Sequence, residues 1–273
     1  MNVLFKKTSS VPVTPENVLT YSMVQARKHT DHTEQDVVLN AAEEVPVALV
    51  YNGISHVVLM ATPQHLVELA YGFSLSEGII ERASQIYQVD IESHVNGMTV
   101  HIELSSACLA QLKQRRRQLS GRTGCGLCGI EALNQINIPL PHVVFNIQMT
   151  AQQLAQGFMR LTDQQPINQL TGGCHAAALW HPHDEKLQVF EDVGRHNALD
   201  KLIGWRLLNN NPLGALLLTS RLSYELIQKA AYAQLPMIAA ISAPTGMAVR
   251  LAQQAGIQLA VFVRDGRVTW INQ

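Results

Sequence analysis

The sequence predicts an α/β protein whose C-terminal half is a layered sheet covered by helices on both faces, preceded by a smaller α+β domain. Three observations lead there. Two continuous apolar runs, residues 215–219 and 237–241, are each followed by a helical pattern, the βαβ rhythm of a sheet buried on both sides. The N-terminal half alternates instead and is punctuated by Asn52-Gly53 and Asn96-Gly97, both hairpin signals. Between the two rhythms lies GRTGCGLCG, with four glycines in nine residues.

Taken in order, residues 1–30 are polar without a sustained apolar period and are read as a flexible N-terminal arm, with an edge strand as the alternative. Residues 31–110 form the small α+β domain. Within it an apolar strand ends near Tyr51, turns at Asn52-Gly53 and returns over residues 55–60. Thr62 then caps a helix with Pro63 at its first position and Leu66, Leu69, Ala70 and Phe73 on its apolar face. A strand pair follows over residues 87–104. Residues 111–130 are a basic linker and mobile CxxC loop. Residues 131–273 form the layered domain, beginning with a helix over residues 150–163 capped by Thr150. Further helices are expected around Leu199 to Leu207, Leu222 to Ala230 and residues 245–254, with closing strands at 257–263 and 268–271.

Composition bounds what such a chain can do. Its 273 residues allow one large or two modest domains, and 47% hydrophobic with 15% charged residues fits an ordinary globular protein with a self-associating surface. A net charge of -1 gives no basic field for nucleic acid or membranes. The N-terminal residues lack a signal-peptide pattern, and no stretch approaches the roughly 18 apolar residues of a membrane span. Four cysteines are too few for a disulfide scaffold, so the expected location is the cytoplasm, where a CxxC implies redox, metal or sulfur chemistry.

Cys125 and Cys128 form that CxxC. Zinc needs four ligands, and the other two cysteines, Cys108 and Cys174, stand at unrelated spacing, so no metal site is assigned. Arg115, Arg116, Arg117 and Arg122 either favour a thiolate nearby or belong to a solvated helix face. Three polar clusters follow. TGGCH, ending at His175, is a tight turn; EDVGRHN packs Glu191, Asp192, Arg195 and His196 around a glycine. Ser220-Arg221 and Ser242 end the two apolar runs, where anionic ligands collect in open α/β sheets. Arg264 and Arg267 flank Asp265-Gly266, as a clamp for a phosphate or guanine edge or as a charged hairpin tip.

EEVPVALVYNGISHVV, YGFSLSEGII, GRTGCGLCG, LTGGCHAAA, EDVGRHNALDK, SRLSYELIQK and ISAPTGMAV, in that order, resemble the FdhD family of formate dehydrogenase accessory sulfurtransferases from about residue 40 onward. The resemblance implies that a cysteine desulfurase loads sulfur as a persulfide on Cys125, with Cys128 as helper. That sulfur goes to molybdenum bis(molybdopterin guanine dinucleotide), a client rather than a permanent cofactor, before its insertion into formate dehydrogenase. By position, the family's cofactor-binding strand and turn fall on Phe262, Val263, Arg264, Asp265, Gly266 and Arg267. His196 and Asp192 would position the pterin or carry protons. The resemblance further implies a cytidine-deaminase-like αβα fold and a homodimer. The H-x-E and P-C-x-x-C signature of zinc deaminases is missing, so deamination is not implied. A zinc-stapled adaptor and a dithiol oxidoreductase are the rival readings of the same CxxC.

Overall fold

The computed structural model describes residues 19–31, 33–120, 140–264 and 266–271, with residues 116–120 described by their backbone alone. Asn52 and Gly53 both adopt positive φ, 46° and 78°, as a tight hairpin between right-twisted strands requires. They join β3 (Val45–Tyr51) to β4 (Ile54–Ala61). These strands build a four-stranded sheet with β5 (Ile86–His94) and β6 (Gly97–Leu104), in the order β4-β3-β6-β5. Val47, Leu49 and Tyr51 alternate inward with Met98, Val100 and Ile102, and Leu69, Ala70 and Phe73 of α1 (Leu66–Ser76) pack in the same core.

Three expectations are corrected in this half. Residues 21–30 take the strand alternative to a flexible arm: β1 (Tyr21–Thr30) pairs residue for residue with β2 (Thr33–Ala42) in an antiparallel ribbon. Met23, Val24, Val38 and Leu39 are exposed on it, so no single buried face marks the strands in the sequence. Residues 1–18 lie outside the described residues. Thr62 does not cap α1, which starts after His65 in the left-handed region and has no side-chain cap. Thr62 is fully buried instead, its hydroxyl accepting from the Val193 N–H at 3.2 Å. Finally, the basic run 111–117 is no linker but part of α2 (Ser106–Ser120), where Arg115 donates to the Glu77 carbonyl just past α1 at 3.3 Å. Cys125 and Cys128 lie outside the described residues.

The second sheet has six strands: β7 (His175–His181), β8 (Lys186–Asp192), β9 (Ala215–Leu218), β10 (Met237–Ala240), β11 (Gln258–Arg264) and β12 (Arg267–Ile271). Their order is β12-β11-β10-β9-β7-β8, with β9, β10 and β11 parallel. Sequence reasoning did not anticipate β7 and β8. Period-two alternation divides the buried side chains between two cores. Ala177, Leu179, Leu216, Leu218, Ile238 and Ala240 face the core shared with the four-stranded sheet, α1, α5 (Arg195–Leu208), α6 (Tyr224–Tyr232) and α7 (Gly246–Ala255). Ala176, Ala178, Trp180, Leu217 and Ala239 face a second core with Leu154, Phe158 and Leu161 of α3 (Ala151–Asp163). Helices thus cover both faces, and Thr150 caps α3 through the Gln153 N–H, with the reciprocal capping-box bond also made. A short α4 (Pro166–Thr171) links α3 to β7.

Two joints fix the units against each other. Helices α1 and α5 cross at Gly72 and Gly204, where an added Cβ would lie 1.7 Å from the Asp200 carbonyl oxygen and 1.8 Å from that of Glu68. The second joint is a buried ion pair. Lys201 Nζ lies 2.7 Å from Asp192 Oδ2, with neither side chain exposed, and also donates to the Thr62 carbonyl at 3.0 Å. Asp192 accepts further from the N–H groups of Thr62 and Gly194 and from Asn197 Nδ2. Burial pushes the Lys201 ammonium below its usual range, and Asp192 opposes that shift.

Gly204→Ala is expected to cost about 3 kcal/mol or more in chemical denaturation, because backbone rather than a movable side chain meets the new methyl group. Lys201→Met, which leaves a buried carboxylate without its counter-charge, should cost about 3–5 kcal/mol. The double variant Lys201→Met/Asp192→Asn should be more stable than Lys201→Met alone, since both charges are then removed.

Candidate functional site

The central strands β7, β9 and β10 are buried on both faces, so polar groups there are reachable only at the strand ends. Parallel β9, β10 and β11 all end on one edge. Strand β7 runs antiparallel to β9, pairing Ala177 with Leu218, and so begins there; β8 ends there, with Asp192 opposite His175. The carboxyl edge therefore gathers Cys174-His175, Asp192, Thr219-Ser220, Ile241-Ser242 and Arg264. In open α/β sheets this edge is where ligands bind.

On the second-core face of that edge lies a cleft of about 630 Å³, within the usual range for small-molecule sites. Phe158 and Met159 of α3 form one wall, Ile241 and Val263 the other, while Gln165, Asn168, His175 and Thr219 supply polar groups and Arg264 and Gly266 stand at one end. Val263 owes its place to a β-bulge. Val261 pairs with Thr269 but Arg264 with Arg267, so β11 carries one extra residue. That residue is Phe262, left-handed at φ 53° and 39% exposed. Strict alternation from Val261 would put Val263 in the first core; the bulge returns it to the second. A non-glycine residue in this region costs of order 1–3 kcal/mol and tends to mark functional sites.

The structure divides the residues expected to hold a cofactor. Val263, Arg264 and Gly266 line the cleft; Phe262 does not, and Arg267 stands opposite Arg264 in β12. Asp265 lies outside the described residues. Ser220 is buried with its hydroxyl donating to the Arg221 carbonyl at 3.1 Å, while Arg221 is exposed on the same loop. Ser242 is partly exposed beside Ile241.

His196 is not part of the cleft. It lies with Phe73, Tyr224, Glu225 and Lys229 in a second cleft of about 360 Å³, on the first-core side. Its Nε2 is 3.1 Å from Glu225 Oε2, which also accepts from the Ser223 hydroxyl at 2.9 Å. Burial and Arg195 push the imidazole below its usual value, against the pull of Glu225. For Glu225, burial works to raise the carboxyl, but the bonds and charges of Ser223, His196 and Arg195 outweigh it. Below them Lys229 bonds Asp200 at 3.0 Å and Ser76 and Glu77 at 2.9 Å.

Sequence reasoning missed the cleft's α3 and α4 residues. Phe158 is one more apolar residue on a helix face, and Gln165 carries no local signal. Cys174 and His175 were noticed only as a turn. Burial and the nearby Glu191 push the Cys174 thiol up to about 11, so it carries almost no thiolate near neutrality. Glu191 is committed to structure, accepting from the N–H groups of Ile167 and Asn168 at 3.0 and 2.8 Å.

The pattern of the FdhD/NarQ family matches residues 42–272. The sulfur carrier protein FdhD of Acinetobacter baylyi is 45% identical over 250 residues, covering 90% of this chain and 91% of that one. A crystal structure described as a formate dehydrogenase accessory protein from Desulfotalea psychrophila shares the fold, with a TM-score of 0.72 at 22% identity over 93% of this chain and 98% of its own. A family pattern running from the end of β2 through β12, together with a relative of that identity, means that the chain belongs to the FdhD/NarQ family.

Proposed function

We propose that this protein is a sulfur carrier serving formate dehydrogenase, which takes up sulfur as a persulfide on Cys125 and passes it to molybdenum bis(molybdopterin guanine dinucleotide). The observation that carries this reading is the 45% identity, over nine-tenths of the chain, to a protein named as a sulfur carrier. The cysteine inventory supports it. Cys108 and Cys174 are buried, and the Cys174 thiol stays protonated, so neither offers a ready nucleophile.

In the proposed cycle the Cys125 thiolate attacks the terminal sulfur of a cysteine desulfurase persulfide. The S–S bond of the donor breaks, and the desulfurase cysteine leaves as a thiolate. Cys128 thiolate then attacks the inner sulfur of the Cys125 persulfide, expelling hydrosulfide to the client and leaving a Cys125–Cys128 disulfide. A dithiol reductant must open that disulfide before the next round. The client is substrate here. Arg264 at the cleft would pair with its phosphates, and the walls formed by Phe158, Met159, Ile241 and Val263 suit a planar ring.

The same reading makes the helix–sheet–helix layers cytidine-deaminase-like and the working protein a cytoplasmic homodimer. Its partners are the desulfurase and the formate dehydrogenase catalytic subunit. Among the described residues no helix is long and apolar enough to cross a membrane.

Incubation with desulfurase and cysteine is expected to add one sulfur, roughly 32 Da, by intact-protein mass spectrometry, and Cys125→Ala should abolish the increment. About one zinc per chain, with no sulfur gained, would support the zinc-stapled adaptor instead. Turnover of a disulfide substrate requiring both cysteines, again without a sulfur increment, would support the dithiol oxidoreductase.

A further inference from the structure

Charge is segregated along this chain. Between Lys28 and Lys113 the only lysine or arginine is Arg82, against eleven aspartates and glutamates, although the whole chain carries a net charge of -1. The four-stranded sheet collects part of that excess on the face turned away from α1. Register sets Glu92, Thr99, Ala48 and Val58 in one row across β5, β6, β3 and β4, and Asp90, His101, Val50 and Ser55 in the next. Alternation places both rows opposite the buried Val47, Leu49 and Val100.

This outer face has two halves. On β5 and β6 stand Asp90, Glu92 and Glu103, and no lysine or arginine lies on any of the four strands. Glu92 is 3.1 Å from His101 Nε2 and 3.8 Å from His94, and Asp90 accepts from Gln88 at 2.8 Å. On β3 and β4, Pro46 pairs with Met60 beside Val58, and Met60 and Val58 are 47% and 58% exposed. A sheet face turned to water is ordinarily polar. An exposed apolar strip beside a strip of carboxylates suits a protein segment that is apolar along one side and basic along the other. The layers run α3, six-stranded sheet, α5 with α1, four-stranded sheet, so this face and the large cleft lie at opposite ends of the stack. A protein that receives the client must approach the cleft, whereas one that only supplies sulfur need not.

We propose that the outer face of the four-stranded sheet is the docking surface for the sulfur donor. The donor lays on it a segment whose apolar side meets Pro46, Val58 and Met60 and whose lysines or arginines meet Asp90, Glu92 and Glu103. This rests on the function proposed above and adds where the donor sits and by which chemistry it is recognised.

Binding of a cysteine desulfurase to the full-length protein by biolayer interferometry, with the initial rate of sulfur gain at limiting desulfurase, tests the assignment. Wild-type affinity is expected to fall about tenfold or more between about 50 and 300 mM salt. In Asp90→Lys/Glu92→Lys/Glu103→Lys, affinity and loading rate should fall about thirtyfold or more, and in Asp90→Asn/Glu92→Gln/Glu103→Gln by an intermediate factor. Loading by inorganic polysulfide, which needs no docking, should keep its wild-type rate in both variants. Both should melt within a few degrees of wild type, because exposed ion pairs contribute little. Undiminished desulfurase binding by the reversed variant, loss there with none in the neutral variant, salt-independent binding, or an equal loss of polysulfide loading would each overturn the proposal. So would a wild-type dimer that dissociates in the reversed variant, since the face would then belong to a second copy. If wild type gains sulfur from neither source, the carrier reading itself falls; if the variants load from the desulfurase as wild type does, only the docking surface falls.

Discussion

Lys201 and Asp192 meet at the point where the two sheets and α5 converge. The ammonium holds the Thr62 carbonyl just past β4, and the carboxylate holds the N–H groups of Thr62 and Gly194 and the side-chain amide of Asn197. A dry ion pair of this kind adds little net stability, because desolvation offsets most of the attraction. What it does is satisfy several backbone groups at once in a single arrangement, so that the turn leaving β8 can enter α5 in only one way. The placement of Arg195 and His196, and the face that α5 turns toward α1, follow from that turn.

A sheet covered on both faces then separates two regions of polar chemistry. The large cleft lies on the α3 side; the His196–Glu225 pair and the Lys229–Asp200 network lie on the α1 side. Sequence proximity gave no hint of this division, because Glu191, Asp192, Arg195 and His196 are consecutive or nearly so and read as one cluster. In the fold the strand end and the helix start send them apart: Glu191 to the N–H groups of α4, Asp192 inward to Lys201, and His196 to the far cleft.

Much of the architecture was legible where one local signal dominated. The apolar runs at β9 and β10, the Thr150 cap, the helix beginning near Thr245 and the Asn52-Gly53 turn each appear as read. Legibility failed where tertiary partners decided the outcome. Strand β7 is rich in alanine, which carries little strand propensity, and is held by β8 and β9 on either side. Thr62-Pro63 has the chemistry of a helix start, but burial of Thr62 against Asp192 and Lys201 defers the helix to Leu66. The cleft is assembled from α3, α4 and four strands, and an amide such as that of Gln165, without a hydrogen-bond partner among the described residues, is visible only once its surroundings are folded.

The single extra residue in β11 bears on how this strand can change over evolutionary time. Substitutions there alter one side chain, whereas losing or gaining one residue in the regular part of the strand reverses the facing of everything beyond it. Deleting Phe262 is the exception, because Val263 would then follow Val261 directly and stay on the cleft side by ordinary alternation, with only the bulge lost. The regular stretch of β11 is therefore far more tolerant of spelling changes than of changes in length, and gaps among descendants of this chain should gather at Phe262 rather than on the regular positions before it.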